Sequence, residues 1–437
     1  MHIQEHISLK ELTTMKIGGD ARYFCSASTA EALAEAVLFA REKNVPVIVL
    51  GGGSNTLVAS GDINALVLKI EIKGVEWESP LGKWNSRRRG ALRRGVGGGL
   101  LQPPARRNAS TPFSKGDSVP VVVGAGESWD GFVAQAVEKG LWGIENLSGI
   151  PGTVGAAPIQ NIGAYGTEVK DTILWVEVFD IKAGKLRRLT NAECRFAYRD
   201  SMFKHQVEGP FIVCRVAFLL RKDGVPNLEY KDLQKYFGNL SSPPFQGEKR
   251  ILGASQDLER PSSDAKGVQL RYEGDKRGGS FPSLQQIRNA VIEIRSGKFP
   301  DLREFGTAGS FFKNPIISKK QFDELKERYP NLPGFPLSLS PSLEGEIERW
   351  CTPPTLPSKE GRREEKVKIP LAWVLDNICN LKGFKKGNVA LFEKQPIVLV
   401  HSGEATSEEI ELFAKEIADI VKVKTGIEIE WEVQRIF

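Results

Sequence analysis

The eighteen residues from Gly149 to Gly166 contain five glycines and two prolines and carry no charge. This composition fits neither a regular helix nor a strand, because glycine and proline both disfavour the interior of these elements. Glycine also lets main-chain N–H groups approach a ligand without an intervening Cβ. A run of such amides forms a concavity that binds anions. The segment therefore predicts backbone that packs directly against a ligand.

A second glycine loop, Leu50 to Thr56, follows the apolar run Val45 to Leu50, which predicts a buried strand. Two such loops indicate one long ligand that contains a pyrophosphate. Neither loop has the G-x-G-x-x-G spacing that leads into an amphipathic helix, with an acid about 20 residues later. A nicotinamide-binding Rossmann domain is therefore disfavoured. Taken alone, Gly51 to Gly53 is more typical of a plain tight turn.

The length of 437 residues exceeds what one hydrophobic core supports and predicts two or three domains. Residues 1–15 carry polar side chains throughout and lack the apolar stretch of a secretory signal. No apolar run approaches the roughly 20 residues of a membrane-spanning helix. The five cysteines are scattered and form no CxxC pair, which argues against a disulfide framework or a zinc site. We expect a cytoplasmic protein with no metal and no membrane contact.

The net charge of +6 depends on one segment, because Leu81 to Lys115 holds nine basic residues and no acid. Such a block can contact nucleic acid or a membrane surface. It has no heptads and no interleaved aromatic residues, so a solvated loop is favoured and we expect no nucleic-acid partner. The block lies in one of three segments that are rich in Pro, Gly, Ser and charge. We interpret these segments as surface insertions at 77–118, 238–283 and 335–366.

Helix caps and apolar runs predict alternating helices and strands. Ser28 to Glu31 reads as a capping box that begins a helix before the strand Val45 to Leu50. Ser407 is predicted to cap a helix that ends at Gly426, with a strand Ile427 to Val433 after it. The other predicted elements are strands at Val119 to Val123, Ile173 to Asp180 and Phe211 to Leu220, and a helix at Trp129 to Lys139.

Tyr198, Arg199 and Asp200 place a phenol, a cation and a carboxylate together beside apolar residues. Burial of such groups is costly unless they are paired. The group is therefore a candidate site. The alternative is a plain Arg199–Asp200 salt bridge at the end of a strand.

Ser310 follows a small-residue turn and precedes two phenylalanines, and this placement can project its hydroxyl into a cleft, with Lys313 and Asn314 near enough to polarise it. The alternative is an ordinary turn serine. None of the four histidines lies in a nucleophile-elbow or metal-ligand context, so a proton donor is favoured over a base-activated nucleophile. Glu430 and Glu432 are predicted to share one face of a strand, with solvated acids on an edge strand as the alternative.

In this order, these motifs resemble the UDP-N-acetylenolpyruvoylglucosamine reductase family, in its loop-containing class. The resemblance covers most of the chain outside the three insertions. The segments that carry it are the loop at Asn55, Gly124 to Trp129, Leu141 to Gly166, the Tyr198 motif, Ala308 to Pro315 and the segment with Glu432.

The resemblance implies an α+β fold of three domains. Residues 1–72, joined by 433–437, and residues 73–299 would form an FAD-binding fold like that of the vanillyl-alcohol oxidase relatives. Residues 300–432 would form a substrate-binding domain that closes over the cleft. Two of the insertions would fall in the second domain and one in the third, and we expect a monomer.

The resemblance also implies the cofactors. FAD would lie between the first two domains with its pyrophosphate on the glycine loops, and NADPH would reduce the flavin and leave. The enolpyruvyl ether of UDP-N-acetylglucosamine would then enter the same cleft and become UDP-N-acetylmuramate, a peptidoglycan precursor. The implied FAD-binding residues are Gly51, Gly52, Gly53, Ser54, Asn55, Gly149, Ile150, Pro151, Gly152, Gly155, Ala156, Gln160, Asn161, Gly163, Ala164 and Tyr165.

By the same resemblance, Ser310 matches the donor that protonates the carbanion left when hydride passes from flavin N5 to the vinyl carbon. Arg199 matches the residue that holds the developing carboxylate-enolate charge. Glu432 matches an acid that assists at the same centre. The implied substrate-binding residues are Tyr198, Tyr230, Lys298 and Asn314.

Two other functions are compatible with part of the sequence. A flavin oxidase of the same fold needs a His or Cys placed for covalent flavin attachment, or a pocket open to oxygen, and no such residue is apparent. A nucleic-acid-binding protein would use the basic block between Arg87 and Arg107. Salt-sensitive retention of DNA or RNA would distinguish this second alternative.

Overall fold

The computed structural model describes most of the chain outside the three predicted insertions. The described residues are 1–77, 118–205, 211–238, 281–337 and 365–437. The interiors of the three insertions, and the basic block Leu81 to Lys115 with them, lie outside the described residues.

Strands and helices alternate along the described chain. The strands are β1 (Gln4–Ser8), β2 (Asp20–Ala27), β3 (Val47–Leu50), β4 (Thr56–Val58), β5 (Ile63–Ile70), β6 (Val75–Trp77), β7 (Ser118–Gly124), β8 (Gly163–Ala164), β9 (Thr167–Glu168), β10 (Ile173–Asp180), β11 (Lys185–Thr190), β12 (Phe211–Arg221), β13 (Ile316–Ser318), β14 (Phe335–Pro336), β15 (Lys366–Lys368), β16 (Lys385–Lys386), β17 (Val389–Leu391), β18 (Leu399–His401) and β19 (Gln434–Ile436). The α-helices are α1 (Ala30–Glu42), α2 (Trp129–Glu138), α3 (Lys231–Tyr236), α4 (Leu284–Lys298), α5 (Lys319–Arg328), the single turn α6 (Leu371–Trp373) and α7 (Ser407–Thr425). Short 3-10 segments are Lys10–Leu12, Glu145–Leu147, Val154–Ala156, Val169–Asp171, Ala192–Cys194 and Met202–Lys204, and a π-helical turn covers Val374–Ile378.

The first sheet has the strand order β1-β2-β5-β3. β2 and β3 both run parallel to β5. β2 and β3 have the same direction because α1 joins the end of β2 to the start of β3 in a crossover connection. The buried side chains of α1 fall three or four residues apart and form one apolar stripe, Leu33, Ala36, Val37 and Ala40. Alternate residues of β2 face opposite sides of the sheet, so Tyr23 and Cys25 pack with this stripe whereas Phe24 packs near Ile436.

The second sheet is antiparallel and has the order β11-β10-β12-β7-β6. α2 packs on it through aromatic rings, with the centroid of Phe132 5.0 Å and that of Trp129 6.0 Å from the ring of Phe218. The Trp129 indole also donates to the carbonyl of Leu147 at 2.9 Å, which satisfies its buried N–H. The α1 face of the first sheet and the second sheet share one apolar core.

The remaining residues build a separate core around Phe311 and Phe312, both fully buried. Two small antiparallel sheets, β13-β15-β14 and β16-β17-β18, surround it together with α7. The chain then returns to the first sheet region, because β19 pairs in parallel with β4. This pairing supports the joining of residues 433–437 to residues 1–72, and the three-domain division remains a proposal.

The predicted strand Ile427 to Val433 is wrong. Its alternating apolar residues suggested a strand, but only a single bridge between Trp431 and Phe312 forms there, and the regular strand begins at Gln434. No regular strand forms because the partner segment, Phe311 to Lys313, is short. Two bonds join it to this stretch: the Lys313 amide donates to the carbonyl of Glu430, and the Glu432 amide donates to the carbonyl of Phe311.

Several predicted boundaries shift by one or two residues. α1 is capped by Thr29 rather than Ser28, and α7 by Thr406 rather than Ser407. The strand predicted from Val45 begins at Val47, and the expected stop at Gly426 is confirmed by its left-handed φ of 71°. The predicted insertions are too long, because their outer residues lie in strands or cap a helix. These residues are Trp77, Ser118, Ser283, Phe335, Pro336 and Lys366.

Within the described stretches, no helix is long and apolar enough to span a membrane. The same stretches contain no group of three or more His, Cys, Asp or Glu side chains that could hold a metal ion. The described cysteines are free and buried, and burial raises the pKa of Cys25 to about 11. Such thiols are inert rather than reactive.

We predict that Thr406→Ala destabilises the protein by about 1 kcal/mol, because Thr406 forms a reciprocal capping box with Glu409. The Thr406 hydroxyl accepts from the Glu409 amide at 3.2 Å, and the Glu409 carboxylate accepts from the Thr406 amide at 2.8 Å. Urea unfolding measures the change, and Thr406→Ser is the matched control that keeps the hydroxyl. If the two variants had equal unfolding free energies, the Thr406 hydroxyl would not be the stabilising cap of this helix.

Candidate active site

The two glycine loops are in contact. The Ser54 hydroxyl donates to the carbonyl of Pro151 at 3.0 Å. A Cβ added to Gly52 would lie 2.8 Å from Cα of Gly152, and one added to Gly152 would lie 2.8 Å from the Ser54 hydroxyl. Gly152 also has a φ of 120°, which other residues rarely adopt. Glycine is therefore required on both sides of this contact.

Where the loops meet, several main-chain amides have no partner in the described chain. Buried or partly buried N–H groups are normally paired, so a cluster of free ones points to a bound acceptor. An array of such groups suits the oxygens of a pyrophosphate. The buried or half-buried residues whose amides donate to no described acceptor are Gly53, Ser54, Asn55, Ile150, Gly152 and Thr153, and the exposed Gly52 lies among them with its amide also unpaired there.

Other predicted FAD-binding residues have roles inside the protein. A Cβ on Gly155 would lie 2.6 Å from Cβ of Ala125, so glycine is needed there for packing. The Asn161 side chain is fully engaged: its amide donates to Glu168 and to the carbonyl of Ala197, both at 2.9 Å, and its oxygen accepts from the amide of Lys170 at 3.1 Å. A cofactor contact by either residue remains a prediction.

A charged network that sequence analysis missed holds the second loop. Asp130 accepts from the amide of Gly149 at 2.6 Å, and Arg288 donates to both carboxylate oxygens of Asp130 at 2.6 and 2.8 Å. The hydrogen bond from Arg288 is the main cause that lowers the pKa of Asp130. Arg295 donates to the carbonyl of Gly149 at 3.1 Å. The seven-residue spacing of the two arginines on α4 was the one available signal.

Asn55 links the first loop to the C-terminal segment. Its side-chain amide donates to Gln160 at 2.5 Å and to the carbonyl of Glu432 at 3.2 Å. Its own carbonyl accepts from the amide of Gln434 at 3.0 Å. Asn55 thereby contacts both the second loop and the residues around Glu432.

Arg199 projects from a tight turn. The amide of Ala197 donates to the carbonyl of Asp200 at 3.0 Å, the reverse bond is 3.2 Å, and Arg199 takes a left-handed φ of 52°. Its Nε lies 3.1 Å from a carboxylate oxygen of Glu432, without the alignment of a hydrogen bond, and its Nη2 donates to the carbonyl of Gly163 at 2.5 Å. The alternative Arg199–Asp200 salt bridge is wrong, because Asp200 contacts His205 instead.

Glu432 is buried, unlike Glu430, so the two do not share one environment. Burial raises the pKa of Glu432, and the cations around it, Arg199 first and then Lys204 and Lys313, oppose this rise without cancelling it. The carboxyl group therefore holds a proton more readily than an exposed glutamate does.

Ser310 lies in the segment that runs beside Glu432. The next residue, Phe311, donates its amide to the carbonyl of Ile397 at 2.9 Å and accepts from the amide of Glu432 at 2.8 Å. The segment is thus fixed on both sides, and Ser310 is half-buried.

Within the described residues, Lys313 and Asn314 form hydrogen bonds to groups other than Ser310, contrary to the polarisation expected from the sequence. Lys313 pairs with Glu430 at 2.7 Å. Asn314 donates to the Tyr198 hydroxyl at 3.3 Å and accepts from the amide of Leu371 at 2.8 Å.

The predicted substrate residues lie in two groups. Asn314 contacts the Tyr198 phenol, whose pKa is raised mainly by burial. Tyr230 caps α3 and packs edge-on against Tyr165, with ring centroids 5.2 Å apart.

Lys298, at the end of α4, pairs with Asp232 at 2.5 Å. Tyr230 and Lys298 therefore lie close together although the insertion 238–283 separates them in sequence. Burial, Asp232 and, third, Tyr198 raise the pKa of Tyr230. The group of Tyr198 and Asn314 therefore lies near the group of Tyr230 and Lys298.

Two sequence-family models match the chain. The model described as an FAD binding domain matches residues 21–86 and 115–190. The model described as the UDP-N-acetylenolpyruvoylglucosamine reductase C-terminal domain matches residues 301–436.

Full-length relatives extend this match. The UDP-N-acetylenolpyruvoylglucosamine reductase of Ralstonia nicotianae is 33% identical over 430 residues, 98% of each chain. This chain belongs to that family. The enzyme of the same name from Chromobacterium violaceum is 32% identical over 99% of this chain and 98% of its own. The protein is accordingly an FAD-dependent oxidoreductase, as predicted.

The fold comparison agrees. The crystal structure of UDP-N-acetylenolpyruvylglucosamine reductase from Thermus caldophilus aligns with a TM-score of 0.52 at 19% identity, over 100% of this chain and 99% of that one. The predicted α+β fold with an FAD-binding part is confirmed.

We predict that Gly52→Ala weakens FAD binding. The added Cβ would overlap the backbone of Gly152, and overpacking costs about 1–3 kcal/mol, which corresponds to a roughly 5- to 150-fold higher Kd. Quenching of flavin fluorescence during titration measures the Kd. Gly297→Ala is the matched control, since a Cβ there meets nothing within 4 Å. If the Kd of Gly52→Ala were unchanged, the contact between Gly52 and Gly152 would not be part of the cofactor site.

Proposed function

We propose that the protein reduces the enolpyruvyl ether of UDP-N-acetylglucosamine to UDP-N-acetylmuramate, for peptidoglycan precursor synthesis, with bound FAD and with NADPH as reductant. The observation that carries this proposal is the meeting of Arg199, Glu432 and the Ser310 segment beside two glycine loops with free amides. Family membership supports the substrate, which the names of the relatives state.

The residues fit an FAD pyrophosphate. The free amides of Gly52 to Asn55 and of Ile150, Gly152 and Thr153 are the donors that would hold its oxygens. When bound, the flavin would accept hydride from NADPH and deliver it to the substrate. The same cleft would serve both partners, in keeping with the absence of a G-x-G-x-x-G fingerprint from the sequence.

Arg199 is suited to hold the substrate carboxylate. Its Nε is buried and donates no aligned hydrogen bond within the described chain, so it can donate to an incoming acceptor. Charge that develops on a carboxylate-enolate is stabilised by a fixed cation of this kind. The Arg199–Glu432 pair keeps the guanidinium in place until substrate arrives.

Ser310 is the proposed proton donor. A hydroxyl is a weak acid, but a carbanion beside a carboxylate is a much stronger base, so transfer to carbon is favoured. Glu432 would assist, because burial raises its pKa and lets it hold a proton near the same centre. Tyr198, Asn314, Tyr230 and Lys298 are proposed to bind the sugar nucleotide.

NADPH as the reductant, a monomeric state and a cytoplasmic location complete the proposal. Nothing in the described residues favours the flavin oxidase. The basic block on which nucleic-acid binding would depend lies outside the described residues.

We predict that Ser310→Ala separates the two half-reactions. Anaerobic NADPH should bleach the flavin of the variant at a rate near that of the wild type, whereas reoxidation by the enolpyruvyl substrate should slow by about 10²- to 10⁴-fold, because general acid catalysis is lost. Stopped-flow absorbance measures both rates. Ser402→Ala, an exposed serine near the same core, is the matched control.

Two results would contradict the proposal. A wild-type holoprotein whose reduced flavin is not reoxidised by the enolpyruvyl sugar nucleotide would exclude the function. Equal slowing of both half-reactions in Ser310→Ala would assign the serine a structural role.

A further inference from the structure

Arg199 occupies a conformation that needs support. Its φ of 52° is left-handed, which residues with a Cβ rarely adopt, and the turn Ala197 to Asp200 is closed by only two main-chain bonds. The direction of the guanidinium depends on this turn, because the turn sets where the side chain leaves the backbone. A neighbouring group that fixes the Arg199 peptide would therefore fix the charged end as well.

Lys204 supplies such a contact. Its ammonium donates to the main-chain carbonyl of Arg199 at 3.0 Å. It is the last residue of the short helix Met202–Lys204. Burial is the main cause that lowers the pKa of Lys204, so the ammonium is partly withdrawn from solvent.

The short helix is itself anchored to the rest of the site. The Ser201 hydroxyl caps the helix by accepting from the amide of Phe203 at 3.3 Å, and donates to the carbonyl of Ile159, in the second glycine loop, at 2.5 Å. The Phe203 side chain is buried in the shared core. Lys204 is thus held against the loop that is proposed to bind FAD, and it passes that restraint to Arg199.

We propose that Lys204 is a positioning residue, which holds the Arg199 turn so that the guanidinium meets the substrate carboxylate. This inference rests on the proposed function. The ammonium contacts protein rather than the reacting atoms, so its effect should pass through Arg199. The charge of Lys204 also lies near Glu432 and Lys313, so it contributes to the electrostatics of the site.

Lys204→Met keeps most of the volume and removes the donor. We expect reduction of the flavin by NADPH to stay near the wild-type rate, and reoxidation by the enolpyruvyl substrate to slow about 10- to 100-fold, because a displacement near 1 Å has effects of this size. Lys204→Arg should recover most of the lost rate, since a guanidinium can still donate to the carbonyl.

A double-mutant cycle tests whether the effect passes through Arg199. In an Arg199→Met background, Lys204→Met should slow reoxidation by no more than about twofold further, because residues that act through one another are not additive. If the double variant slowed reoxidation by the product of the two separate effects, Lys204 would act independently of Arg199. That result would overturn the proposal. So would a wild-type reoxidation rate in Lys204→Met.

Thermal midpoint and FAD Kd serve as readouts other than activity. Lys424→Met is the matched control, because Lys424 also donates to main-chain carbonyls, those of Ile378 and Cys379 at 3.2 and 3.3 Å, near the other core. Its reoxidation rate should not change.

If Lys204→Met does not fold, Lys204→Gln, which is too short to reach the same carbonyl, takes its place with the same expected slowing. Loss of reoxidation in the wild type would reject the proposed function. Normal wild-type turnover with a fast Lys204 variant would reject only the positioning role.

Discussion

The close contact between Gly52 and Gly152 determines the geometry of the whole site. A Cβ on Gly52 would overlap the backbone of Gly152, and one on Gly152 would overlap the Ser54 hydroxyl, which also ties the first loop to Pro151. The first loop follows β3 and leads into β4, which pairs with the C-terminal strand β19. The second loop is fixed by Asp130, on the helix that packs on the antiparallel sheet. One contact therefore brings together amides from two loops that are far apart in the sequence.

The charged centre depends on the same convergence. Arg199 comes from a turn beside the second loop, whereas Glu432 comes from the residues just before the C-terminal strand. Asn55, in the first loop, contacts the carbonyl of Glu432, so the position of the acid follows that of the loop. Burial and the Arg199 charge act on Glu432 in opposite directions, and burial dominates. A carboxyl whose pKa is raised by burial, beside a fixed cation, suits a reaction in which negative charge appears and is then protonated.

Local sequence patterns predicted a large part of this arrangement. Glycine composition located both loops, and the stop at Gly426 and the start of α2 at Trp129 were correct, because caps and glycine act within a few residues. Caps failed where two hydroxyl residues are adjacent, since Thr406 and Ser407 both fit the rule. The Asp130–Arg288 pair joins residues 158 positions apart, and the spacing of Arg288 and Arg295 on α4 does not by itself identify Asp130 as the partner. The family resemblance is the source of the roles proposed for Ser310, Arg199 and Glu432, which spacing alone does not give.

Hydrogen exchange on the main-chain amides tests the central claim most directly. In the FAD-free protein, the amides of residues 52–55 and of Ile150, Gly152 and Thr153 should exchange quickly, because they have no acceptor in the described chain. Addition of FAD should slow exchange in both loops together, with the same dependence on FAD concentration. Protection of one loop without the other, or of neither, would contradict the account that the two loops form a single cofactor site.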